Sequence, residues 1–136
     1  MKKLIFTFSV LLSFQAWADY VVVVNAANKA VVSMDDVRKI YMGKVASFSD
    51  GSSAVPIMLN EGSLTRDLFS SKVLEKSDSQ YIAHWAKMLF TGNGTPPLEV
   101  DSFDKVKQIV SSDPSTIGYV DDSLVDASLK VIGKFN

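Results

Sequence analysis

Short continuous apolar runs alternate along the chain with stretches whose apolar residues have helical spacing. The Val-rich run at 20–25 has the pattern of a strand that is buried on both faces. Further apolar runs at 55–59, 117–120 and 129–132 predict three more strands. Pro56 lies in the run at 55–59, and a proline in a strand is typical of an edge strand or of the start of a strand.

Four segments between these runs have apolar residues three and four positions apart, which predicts amphipathic helices. Ser33 and Asp36 form a near capping box at the start of the first helix. The second and third helices are predicted at about 63–74 and 78–90, and the fourth begins after Ser102. The apolar residues on one face of the third helix are Ile82, Trp85, Ala86 and Leu89. Strands that alternate with helices predict an α/β fold, a three-layer sandwich with a mostly parallel sheet.

The first 18 residues have the organisation of a secretory signal peptide. Lys2 and Lys3 give a positive start, residues 4–14 are apolar, and 16–18 form an Ala-x-Ala cleavage site. The apolar run is shorter than the about 20 residues that a permanent membrane helix needs. We therefore predict that the signal peptide is removed, and that residues 19–136 form a single exported domain that is soluble after cleavage.

Composition excludes several classes of function. The formal net charge of −1, which becomes more negative when the signal peptide is removed, argues against a nucleic-acid partner. The chain has no Cys and one His, which excludes disulfides and thiolate zinc sites and leaves few arrangements for a metal or a catalytic triad. No pair of carboxylates is spaced with a plausible nucleophile or metal set, so we expect neither an enzyme nor a cofactor.

The stretch 60–69 carries the candidate chemistry. It follows an apolar strand and opens a helix, and the first N–H groups of a helix attract anions because they have no internal partner. Gly62 would allow close approach, Ser63 and Thr65 would add hydroxyl donors, and Arg66 could add a full charge. The alternative is that Ser63 only caps the helix. The candidate ligand-binding residues are Glu61, Gly62, Ser63, Leu64, Thr65 and Arg66.

Four blocks, at 36–44, 48–51, 61–65 and 115–120, resemble in order and spacing the phosphate-binding proteins of bacterial ABC importers. That family, of the type 2 periplasmic-binding-protein-like class, has a helix that ends in Gly-Lys and then a Trp/Phe-x-Asp-Gly turn. An Asp-Gly-Ser-Gly-Thr anion loop and a Gly-Ala-Ile-Gly-Tyr-Val strand follow. The resemblance implies the fold of one lobe of such a protein, a periplasmic location, and phosphate or a related oxyanion as the ligand.

The chain also departs from the family pattern. Leu64 replaces a Gly of the anion loop, and Leu59 stands where phosphate binders commonly have an Arg. The loop that supplies the other half of the phosphate shell in the family has no counterpart here. Arg66 lies one turn into the predicted helix, where we expect solvent to screen it partly. A single open lobe should therefore bind an anion only in the millimolar range, at about 4 kcal/mol.

Two functional hypotheses remain. The first is a small exported ligand-binding or accessory protein that holds an oxyanion weakly, or tightly only when a second surface completes the cleft. The second is an interaction module that has no small ligand. It would bind an envelope or membrane protein through the face that corresponds to the ligand-binding cleft of the family. The intact Gly62-Ser63-x-Thr65 pattern favours the first hypothesis, and the apolar Leu59 and Leu64 favour the second. Homodimerisation is compatible with both.

Overall fold

The computed structural model describes residues 3–5, 9 and 19–136. The predicted signal peptide, residues 1–18, lies outside the described residues apart from 3–5 and 9. Within the described part, none of the helices combines the length and the hydrophobicity that a membrane-spanning helix requires.

In residues 19–136, helices alternate with the strands of a five-stranded sheet, in the strand order β3-β2-β4-β1-β5. A short 3-10 turn, Asp122–Leu124, connects the last two strands. The elements are β1 (Tyr20–Asn25), α1 (Met34–Tyr41), β2 (Val55–Leu59), α2 (Leu64–Lys72), α3 (Asp78–Phe90), β3 (Leu98–Val100), α4 (Phe103–Ser112), β4 (Thr116–Asp121) and β5 (Leu129–Phe135). The four predicted strands and four predicted helices are all present, and β3 is an additional strand.

The sheet is mixed, so the predicted α/β class is confirmed but the expectation of a mostly parallel sheet is not exact. β2 pairs in parallel with β3 and β4, whereas β1 pairs antiparallel with both β4 and β5. A helix between two strands does not force them to be parallel when the connection is long. Here residues 42–54, which contain an antiparallel Ser47–Ser53 bridge, bring the chain from α1 into β2 in the opposite direction to β1.

Pro56 is the second residue of β2, a strand that lies inside the sheet between β3 and β4. Of the two placements predicted for this proline, the start of a strand is therefore the one that occurs. The missing N–H does little harm there, because the N–H of Val55 donates towards β4, to the Ser115 carbonyl, and the pairing of β2 with β3 on the other side begins only at Ile57.

Neighbouring residues of β4 show that helices cover both faces of the sheet. A Cβ atom added at Gly118 would lie 2.6 Å from Cγ1 of Val106 in α4, so no larger residue fits under that helix. On the opposite face, the Tyr119 ring stacks on Phe69 of α2 with ring centroids 4.3 Å apart. Tyr41 of α1 meets the same Phe69 ring edge-on at 4.7 Å. The predicted three-layer arrangement is confirmed.

Serine caps mark where α1, α2 and α4 begin. The Ser33 hydroxyl accepts the N–H of Asp36 while the Asp36 carboxylate accepts the N–H of Ser33, which confirms the capping box. Ser63 and Ser102 cap α2 and α4 in the same way, each through its side-chain oxygen. The sequence therefore determines where both helices begin.

The C-terminal end of α1 holds α3 in place. The Tyr41 carbonyl accepts hydrogen bonds from the Tyr81 hydroxyl at 2.6 Å and from the Trp85 indole N–H at 3.1 Å. We call the predicted apolar face of α3, residues Ile82, Trp85, Ala86 and Leu89, the α3 stripe. Trp85 is buried, but Ile82 is 37% exposed and Leu89 is 55% exposed. Most of the stripe therefore faces away from the core.

Candidate anion site at the start of α2

The predicted junction between a strand and a helix is present. β2 ends at Leu59 and α2 begins at Leu64. Gly62 has φ of +88°, a left-handed conformation that a residue with a Cβ atom rarely adopts. The Ser63 hydroxyl accepts the N–H of Arg66 at 3.3 Å, so Ser63 is the N-cap of α2.

The first two N–H groups of α2 are free to bind a ligand. Within the part of the chain that the structure describes, no acceptor lies within hydrogen-bonding range of the Leu64 and Thr65 N–H groups. The Leu64 side chain is 85% exposed, so solvent reaches this end of the helix. Such groups carry the partial positive charge of the helix dipole and attract an anion.

Thr65 lines an open cavity of about 520 Å³, which we call the α2–α4 groove. It lies where β2, β3 and β4 end, and the starts of both α2 and α4 reach it. In open α/β sheets, ligands bind beyond the carboxyl ends of the strands. Its lining residues are Leu59, Ser63, Thr65, Asp101, Ser102, Phe103, Asp104, Asp121, Ser123 and Leu124.

The α2–α4 groove is acidic. Asp101, Asp104 and Asp121 line it, and its lining contains no Lys or Arg. Hydrogen bonds from the backbone and the side chain of Ser123 hold the pKa of Asp121 below its usual value, so this carboxylate is ionised at neutral pH. A fully deprotonated anion would be repelled here, whereas an anion that still carries a proton could donate it to a carboxylate.

The structure divides the predicted site residues between two cavities. Ser63 and Thr65 line the α2–α4 groove. Glu61 and Arg66 line a separate cavity of about 310 Å³ between α3 and β3, which we call the α3–β3 groove. Gly62 and Leu64 line neither cavity. The six residues are neighbours in sequence, but their side chains do not converge on one ligand.

Arg66 is the clearest departure from expectation. Its side chain is 3% exposed, and its Nε donates to Asp78 at 2.9 Å while its Nη1 donates to the Leu59 carbonyl at 3.0 Å. Nη1 also forms a short ion pair with Glu99. The expectation of a solvent-screened Arg66 that adds charge to the anion site is therefore wrong.

The charge of Arg66 is fixed and already compensated. Burial alone would disfavour the charged guanidinium, but the hydrogen bonds to Glu99 and Asp78 outweigh it and raise the pKa of Arg66 above its usual value. No local sequence pattern predicts that Arg66 pairs with these carboxylates, because Asp78 lies in the next helix and Glu99 lies in β3, which the sequence analysis did not predict. The guanidinium thus binds α2 to α3 and β3 instead of facing a ligand.

The sequence interpretation also missed the three aspartates of the α2–α4 groove. Asp101 directly follows β3, and Asp121 is the last residue of β4. β3, β2 and β4 run parallel side by side, so the residues at their carboxyl ends meet at one edge of the sheet, and recognition of β3 would have placed both aspartates there. Across the described residues, no three His, Asp or Glu side chains are grouped as a metal site requires.

Comparisons with known proteins give matches among solved structures only. No protein-family model and no curated protein matches the sequence. A protein from Clostridium perfringens, described as a phosphate ABC transporter substrate-binding protein with bound phosphate, matches with a TM-score of 0.65 at 21% identity. An ABC-type phosphate transport receptor from Vibrio cholerae matches with a TM-score of 0.63 at 22% identity. PstS from Borrelia burgdorferi matches with a TM-score of 0.63 at 13% identity.

The chain shares its fold with these substrate-binding proteins. The matches cover 85% of this chain but only 45%, 46% and 47% of the three structures, so the chain spans about half of their length. The resemblance predicted from the four sequence blocks is therefore confirmed for the fold. The first structure is described as a substrate-binding protein of a transporter and the second as a transport receptor.

Proposed function

We propose that this chain is an exported binding protein that holds phosphate, or a related oxyanion, weakly in the α2–α4 groove. One observation carries the proposal: the Leu64 and Thr65 N–H groups lack partners in the described part, and Thr65 lines the groove where three strands end. Ser63, which also has a hydroxyl group, lines the same groove. The shared fold with a protein that was solved with bound phosphate supports the same ligand class.

The aspartates of the groove favour phosphate over sulfate. Near neutral pH phosphate retains at least one proton and can donate it to a carboxylate, whereas sulfate has no proton to donate. Glu61, the carboxylate of the predicted anion site, does not line this groove but the other one. Asp101, Asp104 and Asp121 are in position to perform it.

The affinity should be low because the groove is open and contains no cation. Three to five hydrogen bonds of about 1 kcal/mol each would give a binding free energy of about 4 kcal/mol, which corresponds to a millimolar dissociation constant. A second surface, from a partner protein or from a second copy of the chain, would exclude water from the groove and strengthen each of these bonds.

The double substitution Ser63→Ala, Thr65→Val is expected to abolish phosphate binding and preserve the fold. In a thermal-shift titration of residues 19–136, phosphate at ten times its dissociation constant should stabilise the unsubstituted protein by about 1.4 kcal/mol, and sulfate by less. The double variant should lose about 1 kcal/mol of stability with its helix cap and should not respond to phosphate.

Ser77→Ala is the matched control, because Ser77 caps α3 through the same kind of hydrogen bond and does not line the groove. It should lose similar stability but retain the response to phosphate. If millimolar phosphate stabilises neither the unsubstituted protein nor this control, Ser63 acts only as a helix cap and the proposal fails.

A second candidate function is a protein-interaction module that binds an envelope or membrane protein. The side chain of Leu64 is 85% exposed beside an acidic groove, which suits a protein surface better than a small anion. The phosphate titration separates the two functions, since the interaction module predicts no response to either anion.

Export is expected to remove the first 18 residues. The positive start, the apolar run and the Ala16-Trp17-Ala18 sequence together predict cleavage before Asp19. Mass spectrometry of the protein isolated from the envelope fraction of its native host should therefore find Asp19 at the N-terminus. Recovery of a membrane-bound chain that still begins with Met1 would contradict the prediction.

A further inference from the structure

The α3–β3 groove has the properties of a second binding site that the anion proposal does not use. Its volume is about 310 Å³, within the range of small-molecule sites. The α3 stripe forms one wall, and Pro96 and Pro97 of the loop before β3 form another. An amphipathic helix normally directs its apolar face into the core, but here Ile82 and Leu89 remain partly exposed on the groove.

The polar groups of this groove have an excess of negative charge. Glu61 and Glu99 are the carboxylates of its lining, and Arg66 is its one cation. Asp78 and Glu99 both pair with Arg66, so the guanidinium has no positive charge to spare for an additional anion. Glu61 is exposed and forms no ion pair among the described residues, so its carboxylate is available to a ligand.

The apolar walls and the free carboxylate together specify the chemistry of a ligand. An aromatic or branched aliphatic body would bury the exposed parts of Ile82 and Leu89 and would lie beside Trp85, which lines the same groove. An ammonium group at one end of that body would pair with Glu61. A carboxylate in the same place would be repelled by Glu61.

We propose that the α3–β3 groove binds small organic cations that combine an apolar body with an ammonium group. This site is separate from the α2–α4 groove, since the two share no lining residue. Failure of one proposal therefore leaves the other intact.

Phenethylamine, which is protonated at neutral pH, is a suitable probe, with neutral N-acetylphenethylamine and anionic 3-phenylpropionate as matched ligands of the same ring. Trp85 is the single tryptophan of residues 19–136, so its fluorescence reports on the groove directly. Phenethylamine should quench or shift this fluorescence and should move the backbone NMR signals of 82–89 and of Glu61. The neutral ligand should bind more weakly, and the anionic ligand should not bind.

Glu61→Gln should weaken phenethylamine binding by up to about fivefold, since the carboxylate is exposed to solvent. Ile82→Lys should abolish binding by placing a positive charge on the apolar wall. Phe90→Ser is the control, because Phe90 belongs to α3 and is 93% exposed but does not line the groove. Absence of any response to phenethylamine, equal binding of the three ligands, or unchanged binding by the Glu61 and Ile82 variants would each overturn the proposal.

Discussion

Replacing Arg66 with methionine is expected to lower the free energy of unfolding by about 3–5 kcal/mol. The substitution leaves the largely buried Asp78 carboxylate, whose side chain is 11% exposed, without its cation. It also removes the donor to the Leu59 carbonyl and the ion pair to Glu99. Urea denaturation followed by far-UV circular dichroism measures the loss as a change in the unfolding midpoint at constant slope.

Arg38→Met is the matched control for this experiment. The Arg38 side chain is 34% exposed and pairs with the exposed carboxylates of Asp35 and Glu75, so these ion pairs should contribute at most about 1 kcal/mol. The double variant Arg66→Met, Asp78→Asn should regain part of the lost stability, because it removes the uncompensated buried charge. Equal losses for Arg66→Met and Arg38→Met would show that the Arg66 ion pairs do not stabilise the fold.

Raising the pH above about 10 is expected to destabilise the protein steeply. Burial raises the pKa of the Tyr41, Tyr81 and Tyr119 phenols above the usual tyrosine value. Above the pKa of an unfolded tyrosine, the unfolded chain releases three protons that the folded protein retains, so stability falls as the pH rises. Each phenol contributes up to about 1.4 kcal/mol per pH unit, or about 4 kcal/mol for the three.

Urea denaturation at a series of pH values from 9 upward measures this slope. Tyr119→Phe should reduce the slope by about one third, whatever its effect on stability at neutral pH. Arg38→Met is the control, because it removes no tyrosine and should leave the slope unchanged. An unchanged slope for Tyr119→Phe would contradict the explanation by buried phenols.

Local signals predicted most of the fold. The Val run of β1 and the capping box at Ser33 and Asp36 act within a few residues, so the sequence displays them directly. The direction of β1 could not be predicted in this way, because the reversal occurs in the irregular segment 42–54. β3 was not predicted, because its three residues follow two prolines and are too few to show the alternation of apolar and polar residues that is typical of a strand.

The backbone conformation of the candidate site could be predicted from the sequence, whereas the contacts of its side chains could not. A strand, a Gly with positive φ and a Ser cap are properties of consecutive residues, and all three occur at 55–63. The pairing of Arg66 with Asp78 and Glu99 depends on how α3 and β3 pack, which no short pattern encodes. The same holds for the α3 stripe. Its spacing predicts an apolar face of the helix, but it does not predict which part of the molecule that face contacts.

The position of β1 between β4 and β5 has a consequence for the order of events during biosynthesis. β1 precedes the other four strands of the described chain, yet both of its neighbours come from residues 116–135. A ribosome must therefore reach these residues before β1 can pair, and pairing between such distant segments is intrinsically slow. Such a delay would suit the export proposed for this chain, because a polypeptide crosses a secretory channel before it folds.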